Sequence, residues 1–178
     1  SFSGQMMGCL CVDKQGNPLR PSMIWADQRA QKQAQQIESK MSAWDYYTTV
    51  GIKNTASYGI QKLMWVRDNE PEIYEQTYKT LNAKDFIVYR LTGKFYTEYS
   101  DGNSNGCLDI NKFQWSEEIL SYADIDPDKF PELKPSTFVA GGVTEEAARA
   151  TGLAAGTPVV LGGGDGVTAN IGAGSIAP

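Results

Sequence analysis

A chain of 178 residues that is 41% hydrophobic and 21% charged suits one globular domain with a real core and excludes wholesale disorder. Its net charge of −5 gives no electrostatic case for nucleic acid or an anionic membrane surface, so any phosphate must be held by local features such as helix N-termini, glycine amides or a metal. The absence of histidine removes histidine triads and the common zinc sites, leaving acid–base chemistry to carboxylates.

In chain order, residues 8–12 (Gly-Cys-Leu-Cys-Val) read as a strand that turns Cys9 and Cys11 to one face. The two thiols are either a metal or redox pair or, the plainer reading, core side chains. Asp13 to Pro18 carry turn chemistry, and Ser22 to Trp25 form a second short strand candidate. A glutamine-rich helix from about Arg29 to Met41 has few apolar positions and is expected to face solvent. Tyr58 to Asn69 reads as an amphipathic helix stopped before Pro71, with Lys62 snorkelling beside Trp65. Ala83 to Leu91 forms another helix, opened by Lys84-Asp85 in a structural role and closed by Gly93. Phe95 to Tyr99 favours a strand and Ser100 to Asn105 a turn-rich loop, followed by a short strand around Cys107, Leu108 and Ile110. Ser116 caps a helix, residues 126–137 are proline-rich and irregular, and Thr144 caps a helix ended by Gly152. Pro158 to Leu161 is a buried strand that runs into Gly162-Gly163-Gly164-Asp165-Gly166 and a small-residue helix. Mixed elements without a dividing linker indicate an α/β arrangement.

The strongest chemical signal is this last unit of strand, glycine turn, Asp165 and helix. Glycines let a backbone approach a ligand closely, and a carboxylate at a helix N-terminus is favoured in its ionised form. Such a carboxylate, at the carboxyl end of a strand, can take the proton of an attacking alcohol. It can equally serve only as a helix cap, and spacing alone leaves the two readings even. Gly164-x-Gly166-x-x-Ala169 also fits a relaxed dinucleotide fingerprint, which would imply a nicotinamide-dependent oxidoreductase. Against it, Asp165 would put negative charge where a pyrophosphate must sit. A P-loop is excluded, because no Gly-Lys-Ser/Thr follows the glycines. Elsewhere, Gln5, Met6 and Met7 could line a polyol pocket or be ordinary core residues. Trp25 and Asp27 offer an indole face and an acid to a sugar, or merely open the next helix.

Together these segments resemble the FGGY carbohydrate kinases, the xylulokinase-like branch in particular. Ser3-Gly4-Gln5-Met6-Met7-Gly8 is similar to the family's Ser-Gly-Gln-Met-His-Gly, and Pro18-Leu19-Arg20-Pro21 to its Pro-Leu-Arg-Pro. Trp25-Ala26-Asp27-Gln28-Arg29 resembles its Trp-x-Asp-x-Arg, and Lys62-Leu63-Met64-Trp65 its Lys-Leu-x-Trp helix. Lys84-Asp85-Phe86, Tyr89-Arg90-Leu91-Thr92-Gly93, Ser100-Asp101 and Gly162-Gly163-Gly164-Asp165 follow in the family's order. The resemblance implies an α/β ribonuclease-H-like domain of the actin and hexokinase type, incomplete at its N-terminal edge. Residues 1–178 would be part of the first, sugar-binding domain, without the N-terminal phosphate-binding hairpin and the C-terminal ATP-binding domain. The chain starts at Ser1 without a methionine and stops at Ile176-Ala177-Pro178, so a longer parent is expected, with this piece alone inactive.

For the parent, the resemblance implies ATP-dependent phosphorylation of a sugar or polyol, with Mg²⁺ on the ATP phosphates and Asp165 as general base. Gln5, Met6, Met7, Trp25 and Asp27 would contact substrate, and Gly163, Gly164 and Gly166 are candidate phosphate contacts. Met7 stands where the branch has histidine, which leaves open which pentulose, polyol or related sugar is bound. A non-catalytic sugar-binding relative is the alternative. The expected partner is a small sugar or polyol, with no protein ligand to a metal, no nucleic acid and no membrane, and a homodimer is one assembly it allows. With an odd count of three cysteines, no apolar run long enough to span a bilayer and no signal-peptide pattern, a cytoplasmic home is expected.

Overall fold

The computed structural model describes residues 1–175. Residues 176–178, at which the expected truncation falls, lie outside the described residues. The chain begins with two short strands, β1 (Ser3–Gly4) and β2 (Leu10–Val12), and Cys9 makes a single bridge to Met23 where a full strand was expected. Helices α1 (Gln31–Glu38), α2 (Ala43–Val50), α3 (Gly59–Asn69) and α4 (Pro71–Gln76) follow. Sequence reasoning missed α2, although Ser42 caps it by accepting the Asp45 amide hydrogen.

Strand β3 (Lys79–Leu81) pairs antiparallel with β2, and α5 (Ala83–Thr92) ends at Gly93 in the left-handed conformation, as its sequence predicts. Next come β4 (Tyr96–Glu98), α6 (Tyr99–Asn103), β5 (Leu108–Asp109), β6 (Gln114–Trp115) and α7 (Glu117–Ala123), the last capped by Ser116. The segment expected to be a turn-rich loop is therefore a helix: the Glu98 carboxylate accepts from the Ser100 and Asp101 amides and supplies the cap. The proline-rich stretch holds a single 3₁₀ turn and then β7 (Glu132–Lys134), which pairs parallel with β4. Strand β8 (Val139–Gly142), the Thr144-capped α8 (Glu145–Thr151), β9 (Pro158–Val160), β10 (Gly163–Gly164) and α9 (Asp165–Gly172) complete the described residues.

The main core is built by α1, α2, α3 and α7 around Ile37, Tyr46, Val50, Ile60, Leu63, Met64 and Ile119. The glutamine-rich α1 faces solvent on one side only, through Gln31, Lys32, Gln35 and Glu38, while Gln33, Ala34 and Ile37 are buried. Gln33 Nε2 donates to Asp68 Oδ2 at 2.8 Å, which offsets part of the cost of burying the amide, while its Oε1 has no partner among the described residues. Cys9, Cys11 and Cys107 are free and buried, the core-thiol reading. Two smaller apolar clusters, joined by Phe2, set α5, β8, α8 and Leu161 beneath the glycine turn.

Candidate functional site

Strand β10 lies parallel to β1, with Ser3 opposite Gly163 and Gly4 opposite Gly164. This pairing brings the Ser3-to-Met7 motif beside the glycine turn from the far end of the chain. Glycine is required at the contact. Gly162 has φ of 75°, and a Cβ there would fall 2.1 Å from the Phe2 carbonyl oxygen. A Cβ on Gly164 would fall 2.5 Å from Met6 Sδ, so Met6 packs directly on the residue before Asp165. The Ser3 and Thr168 hydroxyls, 2.7 Å apart, tie α9 back to β1. A groove of about 520 Å³ beside this junction is lined by Phe2, Ser100, Gly163, Val167, Thr168 and Ile171.

Asp165 is the first residue of α9, one position beyond the cap residue Gly164. Its Oδ1 accepts the Gly166 amide hydrogen at 2.8 Å, and the side chain is exposed. The Gly164 amide donates to Ser100 Oγ at 2.8 Å, and Ser100 Oγ donates to Glu98 Oε1 at 2.5 Å. A phosphate at either of these amides would have to displace an internal partner. Glu98 also accepts from Ser136 Oγ, so one buried carboxylate holds α6, the β7–β8 connection and, through Ser100, the turn before Asp165.

Below that carboxylate lies a charge cluster. Lys84 Nζ is 3.1 Å from Asp101, 3.3 Å from Asp85 and 3.8 Å from Glu98, and all four side chains are at most 1% exposed. One cation faces three carboxylates. Burial, reinforced by the charge of Asp85, pushes the Asp101 carboxyl up to about 8. Burial likewise raises Asp85. The Lys84 ammonium, which burial alone would lower, is held above its ordinary value by Asp85, Asp101 and Glu98. Gly4 rests on this group, since a Cβ there would lie 2.7 Å from Lys84 Cβ.

Of the expected sugar residues, Met6 and Met7 are half-buried beside the turn and Gln5 is exposed. Met7 has φ of 59°, and its amide donates to Ser104 Oγ at 3.1 Å. Trp25 is exposed and Asp27 half-buried. Burial alone would raise Asp27, but hydrogen bonds and charge from Arg29 hold its carboxyl below the usual range. Neither Trp25 nor Asp27 hydrogen-bonds to Gln5, Met6, Met7 or Asp165 among the described residues. Lys62 is not a snorkelling side chain: it is wholly buried and its Nζ reaches three main-chain carbonyls. No group of three or more His, Cys, Asp or Glu side chains placed to hold a metal ion occurs among the described residues. No helix among them is long and apolar enough to cross a membrane.

Residues 1–172 match the model of the FGGY family of carbohydrate kinases, N-terminal domain. The chain is 38% identical over 178 residues to a xylulose kinase from Lactococcus lactis, covering 99% of this chain and 35% of that protein. A gluconokinase from Bacillus subtilis is 29% identical over 176 residues, covering 99% of this chain and 34% of its own length. Among solved structures, the xylulose kinase from Rhodospirillum rubrum superposes with a TM-score of 0.93 at 26% identity, over 99% of this chain and 36% of that one. The chain thus spans about a third of the length of the relatives it matches. The dinucleotide reading of the glycine turn gives way to this match: the Gly164 amide is engaged by Ser100 and the Gly166 amide by Asp165 Oδ1.

Proposed function

Because this chain belongs to the FGGY family of carbohydrate kinases, with the ribonuclease-H-like fold of that family, we propose that the protein containing it transfers the γ-phosphoryl group of ATP to a sugar hydroxyl. A xylulose-like pentulose is the first candidate substrate; gluconate, suggested by the gluconokinase relative, and a polyol are the runners-up. The observation that carries the reading is the position of Asp165. An exposed carboxylate leads α9 at the end of a glycine turn, with Met6 packed on the residue before it.

Phosphoryl transfer asks a protein mainly for positioning and charge stabilisation. Asp165 would accept the proton of the sugar hydroxyl as its oxygen attacks the γ-phosphorus, the bond to the departing ADP oxygen breaking in line. The Gly166 amide, by donating to Oδ1, fixes the direction in which the carboxylate points. Gln5, Met6, Met7, Trp25 and Asp27 would bind the sugar. The ATP and Mg²⁺ that the reaction needs would be held largely by the rest of the protein, and this chain would be part of its first, sugar-binding domain. The isolated chain is therefore expected to be inactive.

A coupled ADP-release assay on the full-length protein, run across pentuloses, hexuloses, gluconate and polyols, tests the proposal. Sugar-stimulated release with one of them is expected. Release with none would favour a non-catalytic sugar-binding relative.

A further inference from the structure

Lys62 lies in the middle of α3, with its side chain removed from solvent. Its Nζ donates to the carbonyl oxygens of Met7 at 2.7 Å, Ile24 at 2.8 Å and Ser57 at 2.5 Å. An ammonium has three donors and no acceptor, so this set uses it fully. No carboxylate bonds to it among the described residues. The titratable groups that act on it are the thiol of Cys9, next to β2, and Asp27, ahead of α1, whose carboxylate is bonded to Arg29. Burying a charge without an ion-pair partner is costly, and a lysine serving only to cover the core would reach for solvent.

The three carbonyls belong to segments that carry candidate sugar contacts. Met7 is held at φ of 59°, a left-handed conformation that costs a residue other than glycine about 1–2 kcal/mol. Lys62 fixes its carbonyl while Ser104 fixes its amide. Ile24 immediately precedes Trp25 and the turn that presents Asp27. Ser57 accepts from Gln28 at 2.5 Å through its hydroxyl, so its segment is bonded to the same stretch.

We propose that Lys62 is a positioning residue for the sugar, its ammonium clamping the Met6-Met7 turn and the Trp25-to-Asp27 segment into a single wall. The inference rests on the kinase reading above and assigns Lys62 no contact with the reacting atoms. Loss of the clamp releases the wall while leaving Asp165 and the ATP side in place.

The test is Lys62→Met and Lys62→Arg in the full-length protein, assayed with D-xylulose, or with whichever sugar of the panel the wild type phosphorylates. The KM for sugar is expected to rise by about tenfold or more in both variants, with kcat falling less than about fivefold and the KM for ATP within about twofold. Arginine does not rescue, because a planar guanidinium cannot converge three donors as an ammonium does. A folded Lys62→Met protein with its sugar KM within about twofold of wild type overturns the inference. Should both variants fail to fold, the wild type decides. Burial draws the ammonium down to about 8, so sugar affinity by calorimetry weakens between about pH 6.5 and about pH 9 as one donor is lost. Cys9→Ser, which removes the other group titrating against it, leaves that fall in place; Asp27 is ionised throughout. A flat profile overturns the inference. A wild type with no sugar-stimulated ADP release sinks the kinase reading and this one with it, whereas an active wild type with an unaltered Lys62→Met sinks only this one.

Discussion

Replacing Lys84 by methionine would leave the carboxylates of Asp85, Glu98 and Asp101 together in the interior without their cation. All four side chains are at most 1% exposed, and the three acids lie 3.1–3.8 Å from Nζ. Solvent does not screen such a group, and removing one partner of a buried ion pair typically costs about 3–5 kcal/mol. That is a large share of the roughly 5–15 kcal/mol that separates folded from unfolded states. For a domain of this size it corresponds to a fall in Tm of about 6–20 °C. Scanning calorimetry of wild type and Lys84→Met at two pH values is the assay. Near pH 6 Asp85 and Asp101, whose carboxyls burial raises, relieve the repulsion by taking up protons, so the gap between the proteins is smaller there than near pH 8. A Tm within about 2 °C of wild type, or a gap that does not widen with pH, would refute the reasoning.

Asp101 carries its own signature, because its carboxyl titrates near 8 in the fold and near 3.8 as an ordinary side chain. Between those values the folded protein binds the extra proton, so this contribution to stability is complete below about 4, declines as pH rises and is lost above about 8. Asp101→Asn, which mimics the neutral form, should flatten the fall in Tm between about pH 6.5 and about pH 8.5; an unchanged slope would count against the assignment. Ser100→Ala leaves the Gly164 amide without its acceptor and Glu98 with one donor fewer, for about 1–3 kcal/mol of stability. It should also lower kcat more than the sugar KM, since the turn before Asp165 loosens, and steady-state kinetics showing the reverse would place Ser100 in the sugar wall instead.

The local features of the fold were legible because they are written in short windows. Ser116 and Thr144 cap the helices they precede, and Gly93 and Gly152 close theirs in left-handed conformations. Long-range features were not. Nothing near Ser3 says that it pairs with Gly163, and β3, β7 and β8 are short strands that exist through their partners. The Ser100 segment misled because its serine, glycine and asparagines are turn formers, while the cap that makes it helical comes from Glu98, placed just outside the window. Lys62 misled for a related reason: a lysine on an apolar helix usually reaches solvent, and only the tertiary structure supplies the three carbonyls that keep it inside. At the site, the glycine turn and Asp165 stood out in the sequence, but the Glu98–Ser100–Gly164 connection behind them depends on contacts across the fold.

The central claim is that Asp165 takes the proton from the sugar, and steady-state kinetics of Asp165→Ala in the full-length protein test it most directly. Loss of a general base predicts a kcat lower by about 10²–10⁴-fold with the sugar KM little changed. A variant that kept most of its kcat would contradict the claim, even with the family and the fold unaltered.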